Sequence, residues 1–177
     1  MYYLFMPMQE KVITLKSNIE VVLRELLPSD KSYLAEGMKK LSIETIQHRF
    51  FVAKKGFTDL ELQRLTEYDH ESHFAIAAIS HPEQDEGLGV ARFNIDEDDK
   101  RSAEFGLLII DKMQGKGLGK TMLLALIEEA KSRGVTRLYG QLKSTNQAMI
   151  NLSHSLEGVG VKLLQEGQGI LNLQLLL

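Results

Sequence analysis

The segment Gln114–Thr121, QGKGLGKT, places three glycines at alternate positions directly before a helix-forming stretch. A nucleotide P-loop needs a glycine, four free residues and then Gly-Lys-Ser/Thr. Gly119, Lys120 and Thr121 match the end of that pattern, but Gln114 stands where its first glycine belongs. The dinucleotide pattern G-x-G-x-x-G also fails, because its third glycine falls on Lys120. Neither nucleotide motif is complete in this segment.

The same segment still predicts an anion site. A glycine-rich turn that enters a helix offers unpaired backbone N–H groups, and the helix dipole adds positive potential at that end. We therefore expect residues 114–121 to bind phosphate groups, and the rest of the chain has to indicate which phosphate compound is bound.

The flanking sequence predicts a strand, this loop, a helix and a second strand. SAEFGLLII (102–110) is an apolar, strand-like run, KTMLLALIEEAKSRG (120–134) has a helical apolar face and Gly134 can end that helix, and VTRLYGQL (135–142) is again strand-like. Connections of this kind are right-handed and join parallel strands. Residues 102–142 should therefore supply one parallel strand pair.

The remaining elements should pair antiparallel, because short turns separate their strands. We expect two short strands or a hairpin in 11–26, helices in 28–41 with Ser29 or Asp30 as cap, in 42–52 and in 58–69, and strands in 73–80 and 87–95. A helix in 144–158 and a final hairpin around Glu166-Gly167 should follow the parallel pair. Thr58 and Glu61 have capping-box spacing at the start of the third helix. The predicted fold is α/β (α+β), with a mixed, mostly antiparallel sheet, one parallel strand pair and flanking helices.

The length, the net charge and the absence of cysteine limit the classes to which this protein can belong. A chain of 177 residues is expected to form a single domain, residues 1–177. The net charge of −3 gives no basic footprint for nucleic acid. The absence of cysteine excludes disulfides, zinc-thiolate sites and a cysteine nucleophile. The opening MYYLFMPMQEK is too short to span a bilayer and lacks a basic flank, so we expect no signal peptide, no membrane partner and a cytoplasmic location.

The order of these motifs carries a resemblance to a known family. The pattern Gln114-x-x-Gly117-x-Gly119, followed by a strand and then by a helix with Asn146, resembles the GNAT superfamily of acetyl-CoA-dependent N-acetyltransferases. LRELLPSD (23–30), RFF (49–51), residues 58–78 and GVARF (89–93) are similar to the catalytic domain of bacterial Pat-type protein lysine acetyltransferases. The fold that this resemblance implies is the acyl-CoA N-acyltransferase fold.

The resemblance also implies which residues hold the acetyl donor, acetyl-CoA, with no metal involved. The backbone amides of the glycine loop would wrap the pyrophosphate, and the preceding strand, Leu107–Ile110, would hydrogen-bond the pantetheine arm. The cofactor-binding residues implied in this way are Leu108, Ile109, Ile110, Gln114, Gly115, Lys116, Gly117, Leu118, Gly119, Lys120, Thr121 and Asn146.

Glu104 is the candidate general base for attack of an amine on a thioester. A lysine amine is almost fully protonated at neutral pH, so a base has to remove its proton. Glu104 lies on the strand that leads into the loop, and the six residue-to-residue steps from Glu104 to Ile110 span roughly 20 Å, which suits an extended pantetheine arm. The family carries Glu at the matching position. The alternative is a cross-strand ion pair with Arg92 or Arg101.

The general acid usual in the family is a tyrosine seven residues after the asparagine, and this position is Ser153 here. Tyr139 and His154 are the available substitutes for it. A thiolate leaving group has a pKa near ~8.5 and needs little help from an acid. We therefore expect catalysis without a tyrosine acid.

Two other clusters suggest sites but do not meet their requirements. His70 and His73 lack a third ligand at metal-motif spacing, so no metal site is predicted. The segment 94–105 lacks the glycine and the final Glu of a calcium loop and is predicted to be a solvated hairpin turn. Its acidic residues, 96–99, either attract a basic substrate or are simply solvated.

The sequence thus favours an acetyl-CoA N-acetyltransferase that acts on a primary amine, with a protein lysine as the favoured acceptor and Glu104 as base. The alternatives are a non-catalytic acyl-CoA-binding sensor module and a small-molecule amine acetyltransferase. A P-loop kinase is a more distant alternative, because the first P-loop glycine is missing.

Overall fold

In a computed structural model of the chain, which describes residues 8–177, the strands form a single sheet. The strands are β1 (Lys11–Thr14), β2 (Glu20–Glu25), β3 (His73–Ser80), β4 (Gly87–Ile95), β5 (Ser102–Ile109), β6 (Arg137–Lys143), β7 (Gly160–Gly167) and β8 (Ile170–Leu176). The α-helices are α1 (Lys31–Met38), α2 (Ile43–Phe50), α3 (Asp59–Thr66), α4 (Leu118–Ser132) and α5 (Gln147–His154).

The order of strands in the sheet is β1-β2-β3-β4-β5-β6-β8-β7. Neighbouring strands pair antiparallel except for β5 and β6, which pair parallel. The right-handed crossover through α4 explains this exception, because the chain has to return to the same end of the sheet. The mixed sheet with one parallel pair and flanking helices confirms the predicted fold class.

Local sequence signals account for the ends of several elements. Thr58 and Glu61 form the predicted capping box at the start of α3. Gly134, with φ of 80°, follows the end of α4 as predicted. Helix α4 begins at Leu118, two residues before the predicted Lys120, because the glycine loop itself provides the first helical turn.

One detail of the prediction was wrong, and a second was confirmed only in part. The last hairpin turns at residues 168–169 rather than at Glu166-Gly167, because Gly169 takes the positive φ of 76° that this turn requires. Asp30 stands at the N-cap position of α1 but its side chain makes no capping hydrogen bond. It accepts two 2.7 Å hydrogen bonds from Arg24 instead.

The main core lies between α4 and the sheet. Leu118, Met122, Leu123 and Leu126 of α4 are fully buried, and they pack against β3, β4 and β5. A smaller apolar cluster on the opposite face of the sheet includes Leu34 of α1. Helices therefore cover both faces, and the strand leading into the glycine loop is fixed against a rigid layer.

The prediction about the opening segment falls largely outside the described residues, since residues 1–7 are not among them. Among residues 8–177, no helix has the length and apolar character needed to cross a membrane.

Candidate active site

Strands β5 and β6 open into a groove. They pair only over Ser102–Glu104 and Arg137–Tyr139, whereas β5 continues along β4 and β6 continues along β8. Gly140 stands at the point of separation, where a Cβ atom would lie 3.1 Å from the carbonyl oxygen of Phe105. A groove of about 510 Å³ lies beyond this point, between the two strands.

Most of the predicted cofactor-binding residues line this groove. They are Leu108, Ile109, Gln114, Gly115, Gly117, Gly119, Lys120 and Asn146. Ile110 and Leu118 do not, because their side chains are buried in the core. Lys116 points to solvent, and Thr121 lies one turn into α4 with its hydroxyl bonded to the Gly117 carbonyl. These four can contribute only through the backbone or through charge near the groove.

The glycine loop closes one end of the groove and leads straight into α4. Gly115 and Gly117 have φ of 71° and 92°, a region in which a side chain is strained. A Cβ atom at either position would have no atom of residues 8–177 within 4 Å, apart from its chain neighbours. Gln114 fixes the approach to the loop, because its Nε2 donates to the Ile109 carbonyl at 3.1 Å and to Thr45 Oγ1 at 3.2 Å. The helix begins at Leu118, so its free N–H groups lie beside the groove.

The polar side chains beside the loop are mainly structural. Lys120 Nζ donates to the Ser155 carbonyl at 2.7 Å, which holds α4 to the end of α5. Asn146 Oδ1 accepts from the Met149 N–H at 3.1 Å and caps α5. An anion in the groove would therefore meet the backbone N–H groups of the loop first, as the sequence pattern indicates.

Glu104 lies where β5 and β6 begin to separate. It is exposed, and its neighbours in the sheet are Asn94 on β4 and Tyr139 on β6. Within residues 8–177 its carboxylate forms no ion pair with Arg92 or Arg101, so the alternative explanation for Glu104 has no support in the structure.

The cation that Glu104 influences electrostatically is Arg49 of α2. Burial lowers the pKa of the Arg49 guanidinium, and attraction to the Glu104 carboxylate partly opposes that effect. Glu104 itself does not line the groove, whereas Arg49 and the next residue on β5, Phe105, do.

None of the candidate proton donors is placed to act as an acid. Ser153 is fully buried, and its hydroxyl donates to the Ile150 carbonyl at 2.7 Å. The Tyr139 hydroxyl donates to Asp96 at 2.8 Å, and burial together with Asp96 raises its pKa to about 12. His154 is exposed at the end of α5 and does not line the groove.

Helix α2 supplies three lining residues that the sequence patterns did not identify, Thr45, His48 and Arg49. His48 Nε2 lies 3.2 Å from Thr145 Oγ1, so α2 is joined across the groove to the start of α5. Arg49 belongs to the RFF segment, but that segment indicated only a family likeness and no role for a single residue.

The two histidines and the acidic turn are accounted for locally. His70 Nδ1 lies 2.9 Å from Glu25, and His73 Nδ1 lies 3.1 Å from Ser72 Oγ. In the described part of the chain, no group of three or more potential ligands is arranged to hold a metal ion. Residues 96–99 form the solvated β4–β5 turn and lie beside Tyr139 through the Asp96 contact.

Comparison with known proteins agrees with this geometry. A family model described as "Acetyltransferase (GNAT) family" matches residues 40–156. "Acetyltransferase Pat" of Mycolicibacterium smegmatis is 30% identical over 140 residues, which cover 79% of this chain. The matched region spans 41% of that relative's own length.

Solved structures show the same fold. The GNAT domain of S. lividans PAT superimposes with a TM-score of 0.84 at 22% identity, covering 95% of this chain and 97% of that one. The structure of yncA, a putative acetyltransferase from Salmonella typhimurium with its cofactor acetyl-CoA, has a TM-score of 0.67 at 21% identity and covers 88% of this chain and 93% of that one.

Proposed function

Because this chain belongs to the acetyltransferase (GNAT) family, we propose that it transfers the acetyl group of acetyl-CoA to a primary amine. We further propose that a protein lysine is the acceptor and that Glu104 is the general base. The chain accounts for only part of the Pat relative, so the relative's name alone does not assign an acceptor here.

The observation that carries this proposal is the position of the groove. The glycine loop and the start of α4 lie at one end, and Glu104 lies just beyond the other, next to the lining residue Phe105, where β5 and β6 separate. The stretch from Glu104 to Ile110 spans roughly 20 Å, which matches an extended pantetheine arm. Pyrophosphate at the loop would therefore place the thioester near Glu104. The residues present thus fit acetyl-CoA.

The reaction can proceed by direct attack. Acetyl-CoA supplies a thioester whose thiolate leaves readily, with a pKa near ~8.5. The amine nitrogen forms the new C–N bond, the C–S bond breaks, and Glu104 accepts the amine proton directly or through a water molecule. An acyl-cysteine intermediate is excluded, because the chain contains no cysteine.

This mechanism needs no tyrosine acid. The Ser153 hydroxyl is bonded to the helix backbone, and the Tyr139 proton is held by Asp96. Neither group is available to the leaving sulfur. Departure of the thiolate without protonation is consistent with its low pKa.

Charge near Glu104 supports a basic acceptor. Asp96 contacts Tyr139, the β6 neighbour of Glu104, and the exposed Glu97, Asp98 and Asp99 continue the acidic turn. A cationic lysine would be drawn toward this side of the molecule, most strongly at low salt. The resemblance of residues 23–93 to Pat-type protein lysine acetyltransferases favours the same class of acceptor.

The test is acetyl-CoA-dependent thiol release with a panel of acceptors. A lysine peptide should be acetylated faster than an aminoglycoside, a polyamine or a free amino acid, and the same peptide with its lysine already Nε-acetylated serves as the blank. Efficient acetylation of one small amine, with no acetylation of the peptide, would refute a protein lysine as the acceptor but would leave the acetyltransferase activity standing. No turnover of any amine, with acetyl-CoA still bound, would favour the sensor alternative.

A further inference from the structure

A second cavity adjoins the groove on the side of the sheet covered by α1, α2 and α3. Its volume is about 80 Å³, and it shares Arg49, Gly106 and Leu108 with the groove. Most of the other lining side chains are apolar, among them Tyr33, Leu34, Phe50, Phe57 and Leu65. The cavity therefore lies next to the end of the groove where the acetyl group would be transferred.

Two arginines, Arg49 and Arg92, face this cavity. Arg49 lies over Gly106, where a Cβ atom would come within 2.9 Å of its Cζ, so the missing side chain of Gly106 makes room for the guanidinium. Within residues 8–177, no oxygen accepts a hydrogen bond from Arg49. Its other close contact is the ring of Phe50, with Cζ 5.4 Å from the centroid.

Arg92 lies on β4 directly opposite Gly106, and it is almost as poorly satisfied. In the part of the chain that the structure describes, its one hydrogen bond is a long 3.4 Å contact to the Leu65 carbonyl, and its Cζ lies 5.8 Å from the Tyr68 ring centroid. Burial lowers the pKa of Arg92, and the nearby charge of Arg49 lowers it further. Two like charges thus share one largely apolar space.

The third charged lining residue does not neutralise them. Asp30 is buried, and both of its carboxylate oxygens accept 2.7 Å hydrogen bonds from Arg24. Glu104 attracts Arg49 but forms no ion pair with it in the described chain. Arg49 and Arg92 are half-buried, and guanidinium groups withdrawn from water in this way normally have carboxylate or phosphate partners, because desolvating an unpaired charge is unfavourable. Among residues 8–177, the cavity therefore has hydrogen-bond donors and positive charge without a matching anion.

We propose that Arg49 and Arg92 bind a carboxylate of the acceptor, in a subsite beside the acetyl-transfer position. This inference rests on the acetyltransferase function proposed above. Planar guanidinium forks suit a carboxylate, and a cavity of about 80 Å³ with apolar walls suits a short one. Glu104 and Gly106 lie on the same face of β5, so the amine and the carboxylate would occupy neighbouring positions.

The carboxylate can come from two sources. It is either the side chain of an Asp or Glu beside an acceptor lysine in a protein, or the acceptor's own carboxylate, as in a free amino acid. The second source would replace the protein-lysine assignment and keep the acetyltransferase activity. The shared chemistry is a carboxylate held a short distance from the amine, and matched pairs of acceptors separate the two sources.

The first experiment compares acceptors that differ only in this group. Lysine is paired with lysinamide, and a lysine peptide with a flanking Glu is paired with the same peptide carrying Gln. In at least one pair, kcat/KM should be about tenfold or more higher for the carboxylate member, as expected for a charge-assisted hydrogen bond. The responding pair identifies the source.

Arg92→Gln should reduce that ratio toward one, and Arg92→Lys should restore part of it, because Lys keeps the charge but not the planar fork. The matched control is Arg101→Gln, which removes an exposed guanidinium from the β4–β5 turn and should keep the wild-type ratio. Equal kcat/KM within each pair for the wild type, or a ratio unchanged in Arg92→Gln, would overturn the proposal.

A second experiment does not depend on turnover. Propionate and propionamide are titrated against the wild type and Arg92→Gln, with binding followed by protein NMR shifts. Propionate should bind about tenfold more tightly than propionamide in the wild type only. If the protein acetylates amines but does not prefer propionate to propionamide, the subsite is refuted and the proposed function stands. If it binds propionate but acetylates no amine, the anion site stands and the proposed function is refuted.

Discussion

Replacing Glu104 with glutamine tests the catalytic assignment most directly. The side chain is exposed, and within residues 8–177 it forms no ion pair whose loss would destabilise the fold. Glutamine keeps the size of the side chain and can occupy the same place between Asn94 and Tyr139. We therefore expect a change of at most about 0.5 kcal/mol in the free energy of unfolding. Acetyl-CoA affinity should also stay within about twofold, because the loop lies at the other end of the groove.

The effect on turnover should be large at neutral pH. A lysine amine with a pKa of about 10.4 is deprotonated in only about one molecule in 10³ at pH 7. Without Glu104 the reaction depends on that fraction, so kcat should fall by roughly 10²–10⁴. The neutral fraction rises about tenfold per pH unit, and the deficit should shrink accordingly as the pH approaches the pKa of the amine.

The assay is thiol release from acetyl-CoA with a lysine peptide between about pH 6.5 and 9.5. Glu128→Gln is the matched control, because it removes an exposed carboxylate from α4 outside the groove. Near-normal turnover of Glu104→Gln at every pH would refute the role as base. A deficit that stays constant as the pH rises would refute it as well, since a missing base is compensated by spontaneous deprotonation.

Three further predictions follow from the site. Gly117→Glu should abolish acetyl-CoA binding, measured by calorimetry. The control is Gly134→Glu, which lies at a similar positive φ at the far end of α4. It should lower the melting temperature as much as Gly117→Glu does, and it should still bind acetyl-CoA. Tyr139→Phe should keep kcat within about threefold of the wild type, because the Tyr139 hydroxyl donates its proton to Asp96. A decrease in kcat of about 10² or more would show that Tyr139 acts as the general acid. Asp98→Asn should raise KM for a basic peptide at low salt, and the difference should disappear at high salt; a salt-independent KM would leave the turn without a steering role.

The sequence was sufficient for the topology because the determining signals are local. The apolar run before the loop, the glycines and the helical periodicity after them imply a right-handed crossover, and the crossover fixes the β5–β6 pair as parallel. The start of α4 was placed two residues late, because its N-cap residue is Gly117 in the glycine loop, which has no side chain to give a capping signal. The last turn was also misplaced, since two glycines, Gly167 and Gly169, were available and only the pairing with β7 selects the second.

The acceptor side could not be predicted in the same way. Arg49 and Arg92 are 43 positions apart in the numbering, and only the packing of α2 over Gly106 brings them to one cavity. Single arginines are common on surfaces, and no spacing distinguishes these two. Likewise, the sequence could not decide whether Glu104 forms an ion pair with Arg92. That depends on the direction of the Arg92 side chain, which turns toward the Leu65 carbonyl and not toward Glu104.

The backbone of β5 explains why an extended amide should bind in the groove. Ile110 N–H donates to Leu88 on β4, and in an antiparallel pair the N–H and C=O groups of alternate residues point to opposite sides. The N–H and C=O of Leu107 consequently point toward β6, which has moved away beyond Gly140. Backbone groups without a strand partner need another partner or water. A pantetheine arm carries amides that can pair with these backbone groups. The separation of β5 from β6 would therefore provide hydrogen-bond partners for the arm of acetyl-CoA. It also leaves Glu104 uncovered, beside the thioester end of that arm.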